Sequence, residues 1–151
     1  MSDLLVPLYD LPGFEGFKKD FWVGKPPPHY ASRILSFIGD NFSEGWKAEA
    51  IPAFGSVPPT IITALEKVTD RIIGFCCWDC TAKGFLGPIG VHSDFRGKGI
   101  GRAVVISVLH SMREAGYSYG IIGDAGPVEF FRKICDVRII DGSENRIKPF
   151  K

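Results

Sequence analysis

The periodicity of this 151-residue chain changes at Val91, and that change restricts what the chain can fold into. Before it, FLGPIGV (85–91) is a short apolar run bounded by turn residues, as expected of a strand. After it, Ile100, Val104, Val108, Leu109 and Met112 recur at the spacing of one helix face, while Arg102, Arg113 and Glu114 fall elsewhere. Gly116 is a natural helix stop, and YSYGIIGD (117–124) returns to strand character. A strand–helix–strand connection of this kind places its two strands parallel in one sheet.

The neighbouring runs add antiparallel strands to that pair. TIITALEK (60–67) and the run from Ile72 to Cys80 are separated by Thr69-Asp70, and the latter reaches Phe85 through Thr81-Ala82-Lys83-Gly84. Links this short imply hairpins. Upstream, LLVPLYD (4–10) reads as a first strand, with Pro7 limiting it to an edge or a bulge. Residues 12–28 are rich in Gly, Pro and aromatics and end in Pro26-Pro27-Pro28, a stiff extended stretch. It leads to a helix at about Tyr30–Ile38, and Ser43 is placed to N-cap a second short helix that Pro52 ends. Downstream, Gly126-Pro127 opens a last helix, PVEFFRKI, and DVRIID with RIKPF fits a final hairpin. The expected order is β, α, α, β, β, β, α, β, α, β, β. This is an α/β (α+β) single domain over 1–151, with a mixed, mostly antiparallel central sheet flanked by helices on both faces.

Charge and cysteine usage narrow the partners. A net charge of +1 gives no reason to expect nucleic acid, and no run is apolar and long enough to span a membrane. MSDLLVPLYD lacks the basic start and apolar centre of a signal peptide, so a cytoplasmic location is expected. Cys76, Cys77 and Cys80 lie in FCCWDC, which contains a C-x-x-C. Its β-branched and aromatic context reads as strand rather than as the helix N-terminus of a redox pair. His29, His92 and His110 supply no second pair at zinc spacing, so no metal is expected.

The link between the parallel strand and its helix is HSDFRGKGIG (92–101). A nucleotide P-loop is excluded because Gly99, not Ser or Thr, follows Lys98. The dinucleotide fingerprint counted from Gly97 fails at Arg102, and the preceding strands are hairpins. Arg96-Gly97-Lys98-Gly99-Ile100-Gly101 instead resembles the acyl-CoA signature R/Q-x-x-G-x-G/A of the GNAT superfamily of N-acetyltransferases. The strand order resembles that family as well, over about residues 60–135. Helix N-terminal amides, freed of side chains by glycine and ringed by Arg96, Lys98 and Arg102, suit a pyrophosphate.

The resemblance implies acetyl-CoA as co-substrate, with Val91, Arg96, Gly97, Lys98, Gly99, Ile100, Gly101 and Arg102 binding it. It implies a pantetheine arm lying along the strand that ends at Val91, in the gap towards Tyr117–Gly123. A small-molecule or peptide amine acceptor would be held by the N-terminal part, about 1–58, with Trp22, Tyr30, Trp46 and Phe54 candidates for its wall or for core. The family's proton-donating tyrosine in F-Y-x-K corresponds to Phe131 of Phe130-Phe131-Arg132-Lys133, which has no proton to give. Tyr119 is the first alternative acid, followed by Tyr117 and Cys135, or the thiolate leaves unaided. FLGPIGV holds no carboxylate, so Asp79 is the favoured base, with Glu66 and Glu49 behind it and His92 beside the cofactor. The alternative is an acyl-CoA-binding sensor of little or no activity. An exposed sheet edge would permit a homodimer.

Overall fold

A computed structural model describes residues 1–14 and 19–145. Its strands are β1 (Leu4–Pro7), β2 (Phe21–Gly24), β3 (Ile61–Glu66), β4 (Arg71–Trp78), β5 (Phe85–Val91), β6 (Tyr119–Ile122) and β7 (Arg138–Ile139). The helices are α1 (Ala31–Asn41), α2 (Glu44–Ala50), α3 (Ile100–Glu114) and α4 (Val128–Arg132). The strands form one sheet in the order β2-β3-β4-β5-β6-β1-β7, antiparallel throughout except for the parallel pair β5–β6. The mixed sheet, its hairpins and the parallel crossover are those expected from the sequence.

Two apolar clusters lie on opposite faces of the sheet. One packs α3 and Phe131 of α4 against Ile62, Ile73, Cys76, Trp78, Leu86 and Ile122. The other packs Ile34, Phe37 and Ile38 of α1 and Ala50 of α2 against Ile61, Phe75 and Cys77. Cys76 and Cys77 therefore face opposite sides of one strand and are buried as small apolar side chains, which is the strand reading of FCCWDC. α3 buries all five residues of its predicted face. It ends in a Schellman motif: Tyr117 N–H donates to Met112 O, Gly116 N–H donates to Arg113 O, and Gly116 takes φ 104°. Ser43 caps α2 as expected, its Oγ accepting from Trp46 N–H at 3.0 Å.

Three expectations are corrected. The aromatic stretch after residue 12 contains a strand, β2, which pairs with β3 and forms one edge of the sheet. β1 is not an edge strand, because it lies between β6 and β7. Pro7 is tolerated for a local reason. Leu8 N–H bonds towards β6 and Ile140 N–H bonds to Asp3 O, so odd-numbered residues of β1 face β7; β7 covers only Leu4 and Leu5, and no ladder bond is lost at Pro7. β7 forms no hairpin within the described residues but adds to β1; RIKPF, the other half of the expected hairpin, lies outside them.

Candidate acyl-CoA site

The site is a fork in the sheet with a glycine loop at its mouth. β5 pairs with β6 only at Phe85–Ile121 and Leu86–Ile122, then leaves it. The cause is local to β5. Against β4, Leu86 pairs with Trp78 but Ile89 pairs with Cys76, so β5 carries one extra residue at Gly87-Pro88. A bulge bends its strand away from a neighbour, and proline offers no N–H to hold one. His92 N–H bonds to Ile73 O, so Gly90 shares that orientation and turns its backbone groups to β4. The N–H and C=O of Ile89 and Val91 consequently face the open fork.

At the end of β5 the chain makes one 3-10 turn, Ser93–Phe95, and reaches the loop. Gly97 and Gly99 take φ 77° and 83°, left-handed values that strain other residues. A Cβ at either position would have no atom within 4 Å, so both glycines border open space. The first α3 hydrogen bond runs from Ala103 N–H to Gly99 O, which leaves the amides of Ile100, Gly101 and Arg102 without partners inside the helix. Arg96 Nε donates to Val91 O at 3.3 Å, holding the guanidinium at the mouth of the fork. Lys98 Nζ sits 5.7 Å from the centre of the Phe95 ring. Arg102 Nη1 is buried with no hydrogen-bond partner among the described residues. Bare backbone donors, an orphaned cationic nitrogen and two more cations fit a pyrophosphate.

The two faces of the fork differ. On the α3 side a Cβ at Gly101 would lie 3.0 Å from Phe130 Cζ and 3.7 Å from Val91 Cγ2, so the Phe130 ring borders the cleft. Phe131, expected at the tyrosine position, is buried in the core. The helical turn that places Phe131 in the core turns its neighbour Phe130 to the cleft. On the α1–α2 side, Gly90 lets the Phe42 ring lie directly on β5, since a Cβ there would collide with that ring. Phe42 stacks on Trp46 at 5.4 Å and packs on Phe75 at 5.7 Å. Of the four aromatics proposed for an acceptor wall, Trp46 joins this stack, while Trp22 lies on the remote edge strand β2. Phe42 itself was not signalled by any motif.

Asp79 and Tyr119, the first-choice base and acid, share no hydrogen bond among the described residues, whereas Asp79 and Tyr117 do. Asp79 braces the β4–β5 hairpin: its Oδ1 accepts from Gly84 N–H at 2.8 Å, and both carboxylate oxygens accept from Tyr117 Oη at 2.9 Å. Desolvation, and then Asp79, raise the Tyr117 pKa above its ordinary value. Tyr119 opens β6 opposite Pro7, half-exposed and edge-on to Tyr9 at 6.2 Å. It lies three residues, roughly 10 Å, before Ile122, the last β6 residue that pairs with β5, and so on the side away from the open fork. Burial pushes the Cys135 thiol up to about 11. Glu49 accepts from Thr81 Oγ1, and Glu66 accepts from Thr69 Oγ1 at 2.7 Å. Among the described residues no group of three or more His, Cys, Asp or Glu could hold a metal ion, and no helix is long and apolar enough to cross a membrane.

The profile of the GNAT acetyltransferase family matches residues 30–135. The chain therefore belongs to that family, and the glycine loop, the fork and α4 all lie within the match or at its end. No curated protein matches it in sequence. Among solved structures it is similar to a GCN5-related glucosamine N-acetyltransferase region of a fungal multi-domain GH3 β-N-acetylglucosaminidase. That likeness has a TM-score of 0.76 and 16% identity and covers 92% of this chain and 19% of the other. A GCN5-related N-acetyltransferase from Sphaerobacter thermophilus gives 0.72 and 18%, covering 91% and 48%. A GNAT family acetyltransferase from Brucella melitensis, in complex with acetyl-CoA, gives 0.53 and 23%, covering 74% and 80%. The chain thus spans less than half the length of the first two, and at these identities the likeness is one of fold.

Proposed function

We propose that this chain binds acetyl-CoA and transfers its acetyl group to a primary amine. The observation that carries the reading is the fork itself: Ile89 and Val91, which no β6 residue pairs, run into a glycine loop of bare helix amides. Gly97, Gly99 and the amides of Ile100, Gly101 and Arg102 take the pyrophosphate, with Arg96, Lys98 and Arg102 supplying positive charge. The free edge of β5 takes the pantetheine as an added strand, with Val91 and Ile89 as its backbone partners. Acetyl-CoA supplies an acyl carbon activated as a thioester. An N–H from the free edge of β5 polarises its carbonyl where charge develops. The amine attacks directly: a C–N bond forms, the C–S bond breaks, and the thiolate leaves at the far end of the pantetheine arm while the nitrogen loses a proton to water.

No side chain is given the acid or base role. Asp79 is occupied by its hairpin and Tyr117, and Tyr119 lies on the paired side of the fork. The thiolate's modest basicity allows it to leave unaided. The same observations favour a second reading, an acyl-CoA-binding module with little turnover, since Phe130 and not a proton donor borders the cleft. A panel of primary amines assayed for acetyl-CoA-dependent release of free CoA separates the two. Release with at least one amine at ordinary turnover supports transfer. Background rates across the panel, with acetyl-CoA bound, leave the binding module.

A further inference from the structure

On the α1 face of the sheet lies a groove of about 560 Å³ that the acyl-CoA site does not use. Ser32, Arg33, Ser36 and Asp40 of α1 form one wall, and Arg71 and His92 form the other. Arg33 is already occupied: it bonds Asp70 through Oδ2 at 3.2 Å and through the carbonyl at 2.6 Å. Arg71 is not. Among the described residues it has no carboxylate partner, and its Nη2 lies 2.9 Å from His92 Nε2. That imidazole already accepts the Asp94 N–H at Nδ1, 3.1 Å away, with the Asp94 carboxylate 3.9 Å from the same nitrogen. A neutral ring has one lone pair in its plane, so with the Asp94 N–H bond kept at Nδ1 the hydrogen lies on Nε2 and faces the Arg71 donor. The other tautomer moves the conflict to Asp94, and protonation leaves it at both nitrogens. With the hydrogen on Nε2, two donors converge on the groove with no acceptor between them.

We propose that Arg71 and His92 form an anion subsite that holds a terminal carboxylate of the acceptor. The inference rests on the acetyltransferase reading for the word acceptor but not for the subsite. Guanidinium and imidazole N–H donors suit the two oxygens of a carboxylate. Asp40 on the facing wall disfavours a doubly charged group such as phosphate over a single carboxylate. His92 follows Val91 directly, and three residues of strand, roughly 10 Å, separate it from Ile89 at the fork. Acceptors whose amine and carboxylate stand several bonds apart are therefore preferred to α-amino groups next to their own carboxylate.

The subsite is read first without turnover. Glutarate titrated into the protein shifts the His92 ring resonances saturably, glutaramide does not, and Arg71→Gln weakens glutarate by roughly tenfold to a hundredfold. Equal response to glutarate and glutaramide overturns the subsite. In turnover, 6-aminohexanoate exceeds 6-aminohexanamide in kcat/KM by roughly tenfold or more. Arg71→Gln removes that preference through KM, and Arg71→Lys restores part of it. Equal rates for acid and amide in the wild type overturn the acceptor assignment. The cofactor's own phosphate is the competing source of an anion. If Arg71→Gln weakens acetyl-CoA but not its 3′-dephospho form, the subsite belongs to the cofactor and the proposal fails. Absence of acetyl-CoA stabilisation would overturn the transferase reading instead, while the glutarate titration still decides the subsite.

Discussion

Asp79 shows how a residue with catalytic chemistry can be spent on structure. It sits at φ 57°, bonds one amide and one phenol, and has Lys83 Nζ 3.9 Å away. Asp79→Ala removes those acceptors and leaves a Cβ residue in left-handed backbone. It should cost about 2–4 kcal/mol, read as a lower midpoint in denaturant. Tyr119→Phe should change neither the midpoint nor kcat by more than about twofold to threefold, since the hydroxyl serves neither the hairpin nor the fork. A larger fall in kcat alone would return the acid role to Tyr119. The cysteines divide in the same way. Burial raises the Cys76 and Cys77 thiols well above the usual range, whereas a hydrogen bond with Cys77 lowers Cys80, which is also partly open. Alkylation at neutral pH should modify Cys80 first, with Cys76 and Cys77 protected until the protein unfolds. Equal rates for all three would contradict this placement.

At the scale of elements, α3 was readable because its apolar spacing, glycine loop and Schellman stop all agree. The fork was readable only in outline. Parallel pairing followed from the crossover, but the bulge that opens it is set by Gly87-Pro88, two residues that in sequence could equally have ended the strand. β2 was hidden because four residues, FWVG, carry little periodicity and owe their strand to the β3 edge that they cover. In α4 two adjacent phenylalanines carry no sequence signal for which one is buried, and packing decides it. At the junction of α3 and α4, Gly101 leaves just enough room for Phe130. Gly101→Val should overfill that contact, destabilise the free protein by about 1–3 kcal/mol and weaken acetyl-CoA further, measured by calorimetric titration. Unchanged affinity would mean that Phe130 stands clear of the cofactor.

At the scale of the whole molecule, the proton inventory sets a pH window. Cys76, Cys77, Cys135 and Tyr117 all have raised pKa values in the folded state. Such groups bind protons more tightly folded than unfolded. Their contribution is complete below the unfolded thiol value of about 8.5 and is lost as pH rises through the folded values. Cys80, shifted down, has the opposite sign and offsets one of them. Unfolding free energy should therefore fall above about pH 9, with the phenol adding to the decline above about 10. A flat profile from neutral pH to 10.5 would contradict the burial of these thiols.

The central claim is that the glycine loop and fork hold acetyl-CoA, and thermal unfolding tests it most directly. Acetyl-CoA at a hundredfold its dissociation constant should stabilise the protein by about 2.7 kcal/mol, an upward shift of about 5–10 °C. ATP and NAD should give much smaller shifts. Gly99→Glu, which sets a strained residue and a negative charge where the phosphates would lie, should abolish the acetyl-CoA shift. No shift at saturating acetyl-CoA in the wild type, or an equal shift in Gly99→Glu, would contradict the account.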